Sequence, residues 1–136
     1  MTNMKRFFRH TGRPLAALSE LWHASQLYRW TLGASLALVV FSAALPAWRL
    51  LPGILEAKFI PLHYNIYFGI DRFGPWYGVF LPAAAGLAIF LLNVVILCVV
   101  FRSERFLALL LAWTTPIVEL VLLVATVFIV SLNITV

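Results

Sequence analysis

Residues 77–101 read YGVFLPAAAGLAIFLLNVVILCVVF, a stretch without one charged side chain. About 20 apolar residues carry an α-helix across a hydrocarbon core, so this stretch predicts a membrane span and decides the fold class. The composition agrees. The chain is 63% hydrophobic and 11% charged, where soluble domains are about 45–50% apolar and about 25% charged. Ten Lys and Arg with five Asp and Glu are too few to cover so much apolar surface, and the bilayer is the expected solvent. Within the span, Pro82 stands near the start, where a helix tolerates proline. Gly86 and Asn93 fall on one face with Phe90 between them, which puts a polar amide inside the apolar slab.

Working outward toward the C-terminus, residues 102–105 (Arg-Ser-Glu-Arg) form a tight turn, and residues 106–132 form another uncharged run broken only by Glu119. So short a link makes the two spans antiparallel neighbours. Ala108, Ala112, Thr115, Glu119 and Thr126 trace a small-and-polar stripe at helical spacing. Lipid offers polar groups no partner, so the stripe is expected to face protein. Depth counted from the turn at about 1.5 Å per residue brings Asn93 level with Thr115. Glu119 then looks toward the first span, where Ser42 is the best-placed partner. An ionised carboxylate at mid-span costs at least a few kcal/mol. Glu119 therefore reads either as an ion, proton or partner site, or as a neutral acid bonded to a neighbouring helix or to a carbonyl freed near Pro116.

Toward the N-terminus, residues 30–50 form the first span, with Trp30 and Trp48 at its ends as interfacial anchors. Gly33, Ser35, Ala37 and Ser42 supply small residues for close helix contact. Pro46 is expected to kink or end the helix. Residues 1–29 carry Lys5, Arg6, Arg9, Arg13 and Arg29 against Glu20, with Phe7 and Phe8 inside the basic cluster. After Pro14, a moderately amphipathic pattern places Leu15, Leu18, Leu21, Trp22 and Tyr28 opposite Ser19, Glu20, His23 and Gln26. It reads as a short helix in the headgroup region or as a partly ordered positive-inside flank. The lead-in is too long for a cleaved signal peptide, so the span is expected to be retained. His10 and His23 lack any partner pattern.

The expected architecture is all-α with three transmembrane helices and a short interfacial N-terminal helix. Orientation follows from Lys and Arg. Five stand in the N-terminal flank and two in the 102–105 turn, against Arg49, Lys58 and Arg72 around a longer connector and none in tail 133–136. That bias puts the N-terminus and the turn in the cytoplasm, and the connector and C-terminus outside. The basic residues thus report topology and headgroup attraction, and no nucleic-acid partner is expected. Cys98 is the only cysteine, which excludes an intramolecular disulfide or a CxxC motif. Asn133-Ile134-Thr135 matches a glycosylation acceptor, but it lies so near the membrane and the chain end that coincidence accounts for it.

The connector, residues 51–76, is the segment with specific chemistry. Leu51-Pro52-Gly53 is a turn signal, and a short interfacial helical turn is expected over residues 54–59, with Glu56 and Lys58 facing water. Beyond it stand His63, Asn65, Asp71 and Arg72 among Tyr64, Tyr67, Phe68, Phe73 and Trp76. His63 and Asp71 can approach each other and move a proton, but zinc wants at least three protein ligands. No Ser or Cys nucleophile accompanies them. No metal, cofactor or catalytic residue is expected. The structural alternative has Asn65 and Asp71 bonding the turn backbone and His63 docking on the bundle. Gly69 and Gly74 read as turn glycines, and the aromatics with Tyr77 as interfacial anchors or a docking surface.

The loop resembles one in SdpI-like small bacterial membrane proteins. In that family an apolar span is followed by Pro-x-His-aromatic-Asn, a Gly, and Asp-Arg-aromatic-Gly. Pro61, His63, Tyr64, Asn65, Gly69, Asp71, Arg72, Phe73 and Gly74 match that order, with the same His-to-Asp spacing. The departures are Gly69, displaced by one, Ile70 where Pro is common, and Pro75 and Trp76 where a basic residue is usual. The match covers about residues 45–76. It implies a small bacterial integral membrane protein, of a family whose shared domain has no agreed activity. With no complete catalytic set in the sequence, the chain is read as a non-enzymatic inner-membrane protein of signalling or immunity type. Its expected partner is a protein or further copies of itself, bound through His63, Asn65, Asp71, Arg72 and Trp76. The alternative is a subunit of an ion- or proton-linked transport assembly built around Glu119, Asn93 and Thr115.

Overall fold

The structure, a computed structural model, describes residues 14–54 and 59–135. The basic cluster of Lys5, Arg6, Arg9 and Arg13, with Phe7, Phe8 and His10, lies outside the described residues, as do Glu56 and Lys58. The described chain is α-helical apart from one two-stranded hairpin. Three of its helices are long and apolar enough to cross a membrane, over Gln26–Arg49, Trp76–Val100 and Arg105–Ile134. With the short N-terminal helix they make the expected all-α, three-span architecture.

Helix α1, Pro14–Ala24, begins at its proline, whose missing N–H costs nothing in a first turn. It does not continue into the first span. Ser25 is extended (φ −157°, ψ 140°) and its hydroxyl accepts from Leu27 N over 3.2 Å, so it caps a new helix. That helix, α2 (Gln26–Arg49), starts four residues before the expected span. Pro46 is buried within α2 and does not stop it at once. The helix runs on to Arg49, and Leu50 N donates to Pro46 O at 2.9 Å. The four small residues of this span divide between two faces. Ser35 and Ser42 are buried, whereas Gly33 and Ala37 are exposed, and nothing lies within 4 Å of where a Gly33 Cβ would stand.

A short helix α3, Leu51–Ile54, occupies the expected turn at Leu51-Pro52-Gly53. Pro52 in a first turn needs no N–H donor, so proline does not oppose helix there. A 3-10 turn, Trp76–Phe80, then leads into α4, Leu81–Val100, with Pro82 at its start. Helix α5, Arg105–Thr135, is 31 residues long. At about 1.5 Å per residue it measures roughly 46 Å, longer than the roughly 30 Å hydrocarbon core. The excess lets its last turns buttress the connector.

Two apolar clusters hold the bundle. At one end Leu21 of α1 and Tyr28 and Leu32 of α2 pack with Leu97, Ala108 and Ala112. Here Glu20 of α1 pairs with Arg102 of the turn after α4, which ties the N-terminal helix across this end. At the other end Leu50, Ile60, Val79 and Val130 pack together. Helices α2 and α5 are therefore parallel, and α4 runs against both. The stripe faces inward as expected: Ala108, Ala112, Thr115, Glu119 and Thr126 are all buried.

Candidate functional site

The connector folds as a hairpin. Strand β1, Ile60–Asn65, pairs antiparallel with β2, Gly69–Gly74. Asn65 Oδ1 accepts from Tyr67 N over 2.9 Å, and Gly69 takes the left-handed conformation (φ 74°). A three-residue loop closed by such a glycine is a common hairpin connection. Asn65 and Gly69 thus act in the turn as expected. Gly74 acts differently. A Cβ there would collide with the Leu62 side chain, and the same holds at Gly78. Both glycines make room for Leu62.

The ladder is irregular on both sides of His63. Leu62 and Asp71 fall outside the paired register, which runs from Pro61↔Phe73 to His63↔Arg72 and then Tyr64↔Ile70. Bulges re-aim side chains. Leu62 turns onto Gly74 and Gly78, and Asp71 turns to His63. His63 Nδ1 stands 2.6 Å from Asp71 Oδ1. With the carboxylate ionised, the ring nitrogen is the donor. Asp71 therefore does not bond the turn backbone, as the structural reading of the loop had it. The pair is largely exposed, 62% and 35% for the two side chains, so its contribution is at most about 1 kcal/mol. It works as a cross-strand clasp. Among the described residues no three of His, Cys, Asp or Glu gather at one place.

The hairpin is fixed to the bundle. Asn133, in the last turn of α5, donates from Nδ2 to the carbonyl of Pro61 at 2.7 Å and to that of Ile129 at 2.8 Å. Leu62, His63 and Tyr64 overhang Ala125, Phe128 and Ile129 of α5, leaving a groove of about 610 Å³ between strand and helix. Trp76 is half-buried against the cluster around Val79 and meets Tyr77 edge to face, ring centroids 5.9 Å apart. Arg72 is exposed on β2. The tip points away from the bundle, with Ile66, Tyr67 and Phe68 81%, 86% and 83% exposed.

Inside the bundle, Asn93 Nδ2 donates to Thr115 Oγ1 at 3.1 Å, and Thr115 Oγ1 donates on to Leu111 O at 2.6 Å, joining α4 to α5 as the depth count implies. Glu119 makes neither bond that its neutral-acid alternative expects. Its carboxyl is not bonded to Ser42 or to a carbonyl near Pro116. Both its oxygens and Ser42 Oγ are buried without a hydrogen-bond partner among the described residues. Oε2 instead lies against Gly86, within clashing distance of where a Cβ would stand. The absent side chain of Gly86 is what admits the carboxyl.

Sequence reasoning met Asn133 only as a chance glycosylation acceptor and passed over Leu62. Each contacts a residue remote in sequence, and neither carries a local signal. No protein-family model matches the chain, and neither a curated protein nor a solved structure matches it.

Proposed function

We propose that this chain is a non-enzymatic accessory protein of a bacterial plasma membrane, of signalling or immunity type, binding a protein partner through its hairpin. The observation that carries this reading is the tip. A clasped hairpin, tied to a membrane span by Asn133, holds Ile66, Tyr67 and Phe68 more than four-fifths exposed. Aromatic side chains offer large contact area at low entropic cost, and anchoring their backbone lowers the ordering penalty of association. The SdpI-like order of residues in the same loop supports the bacterial-membrane part of this reading. In this reading the N-terminus and the 102–105 turn are cytoplasmic, and the hairpin and C-terminus are outside.

The test is purification of the tagged protein from its own membrane in mild detergent, in parallel with His63→Ala, Asp71→Ala and Tyr67→Ala. Loss of a stoichiometric companion in these variants, with the spans still inserted, is the expected result. A companion retained by all three removes the hairpin from the interface. A second reading, the ion- or proton-linked transport subunit, is favoured by the unpartnered Glu119. It expects flux in proteoliposomes that Glu119→Gln abolishes. Wild-type protein silent toward every ion tested would dismiss it.

A further inference from the structure

Glu119 lies close to the middle of α5 and is 0% exposed. Neither of its oxygens has a hydrogen-bond partner among the described residues, and the same holds for Ser42 Oγ, whose residue is 1% exposed. Orphaned polar groups of this kind are rare in native interiors, and each asks for a reason. Three observations bring the two buried residues to one level of the bundle. Tyr28 and Leu32 share a cluster with Ala108 and Ala112, and Leu50 shares one with Val130. In that register Ser42 stands level with Leu122, one turn along α5 from Glu119. On the third helix, Gly86 abuts both the Glu119 carboxyl and Leu122. Pro46, buried one turn beyond Ser42, has no N–H, so the Ser42 carbonyl also lacks its helical donor. Four oxygens, two of carboxyl and two of Ser42, thus belong to one level of the bundle.

The surroundings decide what such a group can bind. No charged side chain lies between Arg29 and Arg49 on α2, none lies on α4, and none but Glu119 follows Arg105 on α5. Of the other titratable groups on these spans, Tyr28 and Cys98 lie at the end where α1 crosses, and Tyr77 is exposed at the opposite end. Among the described residues, therefore, no cationic side chain is available within the bundle. The enclosure also excludes a partner helix, since no surface of the carboxyl is reachable from outside. A divalent ion such as calcium wants six to eight oxygens and more negative charge. What fits is small and singly charged.

We propose that Glu119, seated against Gly86, forms with Ser42 of α2 an intramembrane binding site for a small monovalent cation, a proton or an alkali-metal ion. A proton converts the carboxylate to an acid whose O–H can donate to the Ser42 hydroxyl or carbonyl. An alkali ion takes the same oxygens as ligands. The site is independent of the hairpin. It deepens the transport reading, and binding without flux would leave the site standing while removing transport.

The experiment is labelling of the purified full chain in nanodiscs with dicyclohexylcarbodiimide, located by peptide mass. This apolar reagent takes the proton and the carboxyl together, adding as an acylurea with no group lost, and so reports the protonated acid. Wild type is expected to label at Glu119 and Glu119→Gln to remain unlabelled. Gly86→Ala, which keeps the carboxyl but displaces it, is expected to change the labelling rate several-fold if either variant folds as a monodisperse particle. Labelling suppressed by sodium or lithium, but not by choline at equal ionic strength, assigns an alkali ion. Labelling indifferent to these salts that falls as pH rises assigns a proton. No labelling with no alkali-ion effect overturns the proposal, as does labelling unaffected by pH, by salt and by Gly86→Ala.

Discussion

Asn133 Nδ2 and the carbonyl of Pro61, 72 residues apart in the chain, are joined by a 2.7 Å hydrogen bond that fastens the hairpin to the end of α5. Proline cannot donate to a ladder, so its carbonyl is the group this strand offers to the helix. Asn133→Ala removes the clasp and leaves that acceptor to water or to nothing. The loss is expected to be about 1 kcal/mol and confined to the hairpin. Amide exchange of Leu62–Tyr64 should speed up while that of α4 and α5 stays unchanged. Equal exchange in both proteins would mean that Leu62, tucked over Gly74 and Gly78, suffices to dock the strand.

The hairpin's own geometry gives a second test. Gly69 is the one described residue with a left-handed φ, 74°. An alanine there suffers steric cost of about 1–2 kcal/mol, whereas asparagine tolerates this region better. Gly69→Ala should therefore loosen the strand pairing, read by proximity of labels at the paired positions Tyr64 and Ile70, and Gly69→Asn should largely restore it. If alanine leaves the pairing intact, the turn does not depend on this conformation.

Two glycines of the spans, Gly33 and Gly86, should behave in opposite ways. A Cβ at Gly33 meets nothing within 4 Å, and replacing an interior helical glycine with alanine gains about 0.5–1 kcal/mol. Gly33→Ala is expected to be neutral or stabilising in detergent unfolding. Gly86→Ala drives a methyl into the Glu119 carboxyl and is expected to destabilise. Equal effects would show that the carboxyl swings aside freely.

These contrasts show where the sequence was readable. The inward stripe of α5 was legible because polar residues at helical spacing within an apolar run have one place to go. The Asn93–Thr115 bond was legible because a four-residue turn fixes the relative depth of the helices it joins. Depth is not azimuth, however, and standing at nearly one level does not bond the Glu119 carboxyl to Ser42. A carboxyl is placed by the room its neighbours leave, and that room came from Gly86. The hairpin was read as a turn-rich loop. Its signal was present in two short aromatic-rich segments around Asn65 and Gly69, but the prolines and the bulges at His63 interrupt the alternation that identifies strands. Asn133 had no signal, since nothing local says which loop a helix end will meet.

The orientation proposed from Lys and Arg can be tested independently of any function. Cys98 is the only cysteine, so a Cys98→Ser background is free of thiols. Tyr67, at the exposed tip, and Ser103, in the exposed turn at the opposite end, then serve as single reporters. In intact cells a membrane-impermeant maleimide should label Tyr67→Cys at once and Ser103→Cys only after permeabilisation. The reverse pattern would place the hairpin in the cytoplasm. It would also turn the positive bias of the turn outward and move any partner of the tip to the other side of the membrane. Labelling of both without permeabilisation would mean dual insertion. The decisive charge would then be the ten-to-five excess of basic residues as a whole, not its distribution between the two ends.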